Sequence, residues 1–168
     1  MLKSDMKQNP RNLREITREI VSGVILSSDG KLLMGKKDPA QGGVYADAWH
    51  IPGGGVDDGE DNLTTLQREV LEETNIDIAD AEIELIDDLG RGATEKTLKD
   101  TGEKVWCHMN FNVYSVKLTK TADQMTLAPT DELVELRWFD ISELSGARLT
   151  PPSIELFTRL GYLQPAII

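Results

Sequence analysis

The chain has 168 residues, 39 % hydrophobic and 28 % charged, a globular balance that excludes a disordered or fibrous chain. Eighteen Lys and Arg against 29 Asp and Glu leave a net charge of -11; this excludes a nucleic-acid polymer as the expected partner, since such binding depends on basic side chains neutralising phosphates. No apolar run nears the roughly 20 residues that cross a bilayer, MLKSDMKQNP lacks a signal core, and Cys107 is the single cysteine, so a cytoplasmic protein with no membrane partner and no disulfide is expected.

Residues 1–12 read as a polar tail and residues 13–168 as one domain. Over 19–37 the pattern predicts a hairpin, EIVSGVILSS and KLLMGKK, turned by Asp29-Gly30 through positive φ angles. Residues 38–48, with Pro and paired Gly, predict a loop. The short stretch Trp49-His50-Ile51-Pro52 then leads into Gly53-Gly54-Gly55, read as loop backbone open to close approach by a ligand. Leu63, Leu66, Val70 and Thr74 recur at three- and four-residue steps and predict a helix over Asn62–Thr74 with a buried stripe, capped by Asp61 or Asn62.

Beyond Asn75, IDIADAEIELIDDLG and RGATEKTL read as extended, and Asp100-Thr101-Gly102 punctuates a second hairpin. In the strand that follows, Val105, Cys107, Met109, Phe111 and Val113 form the expected core face. Trp106, His108, Asn110, Asn112 and Tyr114 form the other face, either a pocket wall or a wetted sheet surface. A polar loop, the strand ELRWFDI and two short helical pieces, ISEL and PSIELFTRL, complete the chain. Strands with helices between and after them predict an α/β sandwich.

Glu69, Glu72 and Glu73 stand at i, i+3 and i+4 of the helix, inside a fan of roughly 100° offset from the Leu63/Leu66/Val70 stripe. Like charges at this spacing destabilise a free helix by a few tenths of a kcal/mol per pair, and the C-terminal end of the helix dipole disfavours them further. A solvated acidic face is the bland alternative. Hard oxygen ligands suit Mg²⁺ or Mn²⁺, and a cation would remove the repulsion. On a chain this acidic, a small phosphorylated substrate also needs cations to reverse the local charge.

Gly54, Glu60, Arg68, Glu69, Val70, Glu72, Glu73, Asn75 and Ile76 together resemble the Nudix box, G-x5-E-x7-R-E-U-x-E-E-x-G-U with U bulky and aliphatic. Eight of the nine specified positions agree over residues 54–76; Asn75 stands where the family usually has Gly. The resemblance implies an α/β/α sandwich of Nudix type with a mixed β-sheet. It implies that Glu69, Glu72 and Glu73 hold the divalent ion, with the Gly53 carbonyl as a further ligand. Glu60 and Arg68 would brace that cluster, and Glu132 would serve as a downstream ligand or general base, a surface acid being the alternative. It further implies a pyrophosphohydrolase cleaving a nucleoside triphosphate (an oxidised one included) or a nucleotide sugar by water attack on phosphorus.

Two other functions fit the same fold, a non-catalytic nucleotide-sensing module and a prenyl diphosphate isomerase. The first typically loses box carboxylates, and the second needs a reactive cysteine where Cys107 falls on the expected core face. For substrate recognition the candidates are Tyr45 and Trp49 by stacking, with core packing equally open for Trp49, the Gly54 and Gly55 backbone, and His108 and Asn110 from the strand. The proline that many ADP-ribose hydrolases of the family carry downstream of the box is replaced here by Arg91-Gly92. Many relatives pair as homodimers.

Overall fold

The computed structural model describes residues 8–41, 45–130 and 132–164. Its frame is set by two long strands, β1 (Glu15–Leu26) and β6 (Lys104–Lys117), which run parallel in unbroken register from Glu15 beside Trp106 to Leu26 beside Lys117. Each long strand has an outer edge with room for two partners. β6 takes β4 (Glu82–Asp87) and β5 (Arg91–Thr97); β1 takes β2 (Leu32–Lys37) and β3 (Gly53–Gly55); β7 (Leu133–Phe139) extends β2. Every pairing except β1 with β6 is antiparallel, so the seven-stranded sheet is mixed.

One helix covers each face. α1 (Asn62–Thr74) packs Leu66 and Val70 on Val21, Ile25, Leu33 and Val116. On the opposite face, α2 (Pro151–Arg159) packs Leu156 and Phe157 with Val24, Met34, Trp49 and Phe139. The alternation of Val24 and Ile25 between these two cores is the period of two that a doubly covered strand requires. The result is an α/β/α sandwich. No helix among the described residues is long and apolar enough to cross a membrane.

Local chemistry explains the elements and where they depart from expectation. The 27–31 connection turns at Gly30, φ 82°, but Asp29 keeps a negative φ, so the loop is wider than a two-residue hairpin. Asp29 instead accepts the Ala122 N–H at 3.0 Å. Gly53-Gly54-Gly55, expected as a loop, is strand β3. A side chain on Gly53 would run into the Val21 carbonyl, so only glycine lets these strands meet. The helix has the expected limits, with Asp61 accepting the Thr64 N–H at 2.8 Å as its N-cap. Its buried stripe starts later than expected. Leu63 is 45 % exposed, and Thr65 is buried in its stead, donating its hydroxyl to Glu60 at 3.0 Å.

Candidate active site

Arg68 organises the acids around it. Its Nε and Nη2 donate to the two oxygens of Glu60 at 2.8 Å each, a bidentate pair. Its Nη1 donates to Glu69 at 3.0 Å and to Glu72 at 3.4 Å, and Nη2 also reaches Asp57 at 3.4 Å. Glu60 gathers the Thr65 hydroxyl and the Asp57 N–H besides. The Arg68 guanidinium, foremost among these partners, holds the Glu60 carboxyl down at about 2. Glu60 is therefore a fixed anion that aims Arg68, and Arg68 in turn aims Glu69 and Glu72.

Glu73 lies on the inner side of the same helix, 6 % exposed, with Oε2 buried and without a partner among the described residues. Burial, then the negative charge of Glu69, push its carboxyl up to about 8, against the pull of the Gly53 backbone amide. Burial also raises Glu69. Glu132, from the loop before β7, is exposed and close enough for its charge to push both carboxyls further up. An orphaned buried carboxylate oxygen costs on the order of 1–3 kcal/mol or more, and strained electrostatics of this kind concentrate at functional sites. Among the described residues no three acids close around one point at ligand distance.

The neighbouring backbone is shaped to these side chains. A Cβ on Gly54 would overlap the Glu69 carboxylate, and one on Gly55 would overlap the Arg18 guanidinium. Asn75 ends the helix at φ 66°, its N–H donating to the Leu71 carbonyl at 2.9 Å. That left-handed position explains the glycine expected there and why Asn, the next most tolerant residue, replaces it.

A cleft of about 1390 Å³ runs from these acids across β3 to the face covered by α2, larger than the roughly 300–1,000 Å³ of typical small-ligand pockets. Gly53, Gly54, Gly55, Glu69, Glu72, Glu73, Arg68 and Glu132 line it, as does Tyr45, 44 % exposed at φ 67°. Glu60 braces from behind. Trp49 is not in the lining: it is 6 % exposed, packed edge-on against Phe139 at 4.9 Å, with Lys36 over its ring. His108 and Asn110 are not brought to the cleft either. His108 Nε2 sits 2.7 Å from Glu15, and the Asn110 amide donates to Glu19 at 3.5 Å.

The reason for both exclusions is the parity of the sheet. Ile20 beside Phe111 and Ser22 beside Val113 face the cleft, so the residues between them face away. Of the second set on β6, His108, Asn110 and Asn112 are half-exposed, Trp106 is buried and Tyr114 packs with the α1 core, while the apolar set supplies the pocket wall at Phe111 and Val113. Sequence reasoning missed Arg18, His50, Lys96 and Phe111 as lining residues. His50 Nδ1 faces the Ile51 carbonyl at 3.0 Å, which leaves Nε2 a buried acceptor with no partner among the described residues. Part of the 38–48 loop, residues 42–44, lies outside the described residues.

A family model described as the NUDIX domain matches residues 17–160. An RNA pyrophosphohydrolase of Pelagibacter ubique (strain HTCC1062) is 41 % identical over 71 residues, which are 42 % of this chain and 41 % of that protein. This chain thus spans well under two thirds of that relative's length. Among solved structures, the MutT protein of Methanosarcina mazei Go1 superposes with a TM-score of 0.62 at 20 % identity, covering 89 % of this chain and 96 % of that one. The NUDIX domain of Shewanella oneidensis NrtR, complexed with ADP ribose, gives 0.61 at 15 % identity and covers 92 % of each chain. At such identities the two superpositions speak for the fold.

Proposed function

This chain belongs to the Nudix hydrolase family, and from that premise we propose that it is a divalent-cation-dependent pyrophosphohydrolase acting on a nucleoside diphosphate derivative. The observation that carries the reading is the buried, unpartnered Oε2 of Glu73 beside Glu69, whose own carboxylate packs where a Cβ on Gly54 would stand. That oxygen would be satisfied by a hard cation, which would also offset the crowding of Glu69, Glu73 and Glu132 and take the place of the proton on the raised Glu73 carboxyl. Glu69, Glu72, Glu73 and the Gly53 carbonyl would hold Mg²⁺, with Mn²⁺ as an alternative. When bound, the cation lowers the pKa of water and offsets charge on the diphosphate oxygens.

The chain's own groups do the remaining work. Glu60 and Arg68 keep Glu69 and Glu72 in position, as outer partners of metal ligands do. Glu132, an exposed acid like Glu72, would take a proton and pass it to solvent. The bare backbone of Gly54 and Gly55 lets a phosphate approach between the acids and the rest of the cleft. Tyr45 at the rim offers a face on which a base can stack. The pyrophosphohydrolase relative supports scission at a phosphoanhydride, and the complete set of box carboxylates favours an enzyme over a sensing module.

A panel of nucleoside triphosphates, oxidised triphosphates and nucleotide sugars, incubated with Mg²⁺, should contain at least one compound that releases a nucleoside monophosphate. Silence across the whole panel with both Mg²⁺ and Mn²⁺ would sink the proposal.

A further inference from the structure

In a chain of net charge -11, three cations, Arg18, Lys96 and Lys99, gather in one part of the cleft lining, beside Asp57, Asp58 and Asp100. Arg18 comes from β1 and Lys96 from β5, two strands joined only through β6. Both are half-buried, and Lys99 stands close by. The nearest acid in sequence, Glu95, is already engaged by Arg11 and Lys104. Lys96 has no ion-pair partner within contact distance among the described residues; burial, then the charges of Arg18 and Lys99, push its ammonium pKa down, and the more distant Asp57 offsets this only in part. A half-buried ammonium with no direct partner, near a guanidinium whose one acid stands 3.7 Å away, gains most when a further anion joins the pair.

This wall is physically continuous with the acid cluster. Asp57 bridges the two, lying 3.4 Å from Arg68 and 3.7 Å from Arg18. Strand β3 passes between them with alternating sides: the missing side chain of Gly54 faces Glu69 and that of Gly55 faces Arg18. Three glycines therefore leave one bare seam with cation-seeking carboxylates on one side and anion-seeking cations on the other. A diphosphate held at the acids has a second charged group within reach of Arg18 and Lys96 only if its non-nucleoside part is itself anionic.

We infer that Arg18 and Lys96 form a subsite for an additional phosphate, so that the substrate is a nucleoside polyphosphate and not a nucleotide sugar with a neutral leaving part. The inference rests on the hydrolase reading above and deepens it. Neutral sugar in this position would leave the ammonium unpaired, whereas a terminal phosphate accepts from both side chains.

The test compares ATP with ADP-glucose, which share a nucleoside and differ in the charge of the distal group, and adds calorimetric binding of inorganic tripolyphosphate. ATP should give the higher kcat/KM. Lys96→Met should raise KM for ATP about tenfold, the loss of one charge-assisted contact, shift KM for ADP-glucose by less than about twofold, and weaken tripolyphosphate about tenfold. Lys96→Arg should restore most of the difference, and added salt should shrink it. If neither nucleotide is cut but tripolyphosphate binding still falls with Lys96→Met, the subsite stands and the hydrolase reading fails. Preference for ADP-glucose, equal losses on both substrates, or tripolyphosphate binding that is undetectable or indifferent to Lys96 overturns the subsite.

Discussion

Glu73→Gln is expected to abolish turnover while making the cation-free protein more stable at pH 8. The two effects have one source. Glu73 is buried, its Oε2 has no partner, and its carboxyl is pushed up to about 8 from an ordinary value of 4.5. Between those values the folded chain keeps a proton that the unfolded chain has released, so stability falls as pH rises through the window. Each unit is worth about 1.4 kcal/mol, and relaxation around the site reduces the total to the order of a few kcal/mol. Gln removes that titration and offers an N–H to the Glu69 carboxylate, but it supplies no charge to a cation.

Turnover should drop by about 10³-fold or more, matching the several kcal/mol of transition-state stabilisation that a bound cation contributes. Thermal unfolding in chelator at pH 5 and pH 8 reads the stability half: the variant gains on wild type at the higher pH and little at the lower. A variant that is less stable at pH 8, or that still turns over, contradicts the assignment.

Arg68→Met should lower kcat/KM by about 10–100-fold, the usual penalty for losing an outer partner of metal ligands. The guanidinium makes two parallel bonds to Glu60 and single bonds to Glu69 and Glu72. Without it Glu60 has no cationic partner and the two metal-facing acids are free to rotate. Arg68→Lys should rescue little, because an ammonium cannot reproduce the fork. A positioning role predicts weaker Mg²⁺ affinity in both variants at unchanged overall fold. Wild-type Mg²⁺ affinity alongside lost activity would instead place Arg68 on the substrate.

How far the sequence reveals this molecule depends on the range of each interaction. The helix could be placed to the residue, because Asp61 caps it and Asn75 ends it through contacts within four positions. The acid cluster on α1 and its Glu60–Arg68 brace are local in the same sense, and the box motif exposes them. Leu63 misled, because the side of a helix that is buried depends on what the preceding segment packs against it, here Glu60 on Thr65. The parity of β6 was legible, but which parity faces the cleft was not; that follows from its register with β1. Trp49 looked equally suited to stacking and to core until Phe139, far along the chain, claimed its edge. Arg18 and Lys96 line the same cleft only because β1 and β5 flank the same strand, a juxtaposition that no local pattern encodes.

Calorimetric titration of Mg²⁺ into the metal-free protein near pH 7, repeated in buffers of different ionisation heat, probes the foundation of all of this. Binding should occur with release of up to one proton per chain, and Glu73→Gln should lose both the tight binding and the proton. Binding without any proton release, or equally tight binding to Glu73→Gln, would mean that the cation sits elsewhere and that the acids of α1 are not its cradle.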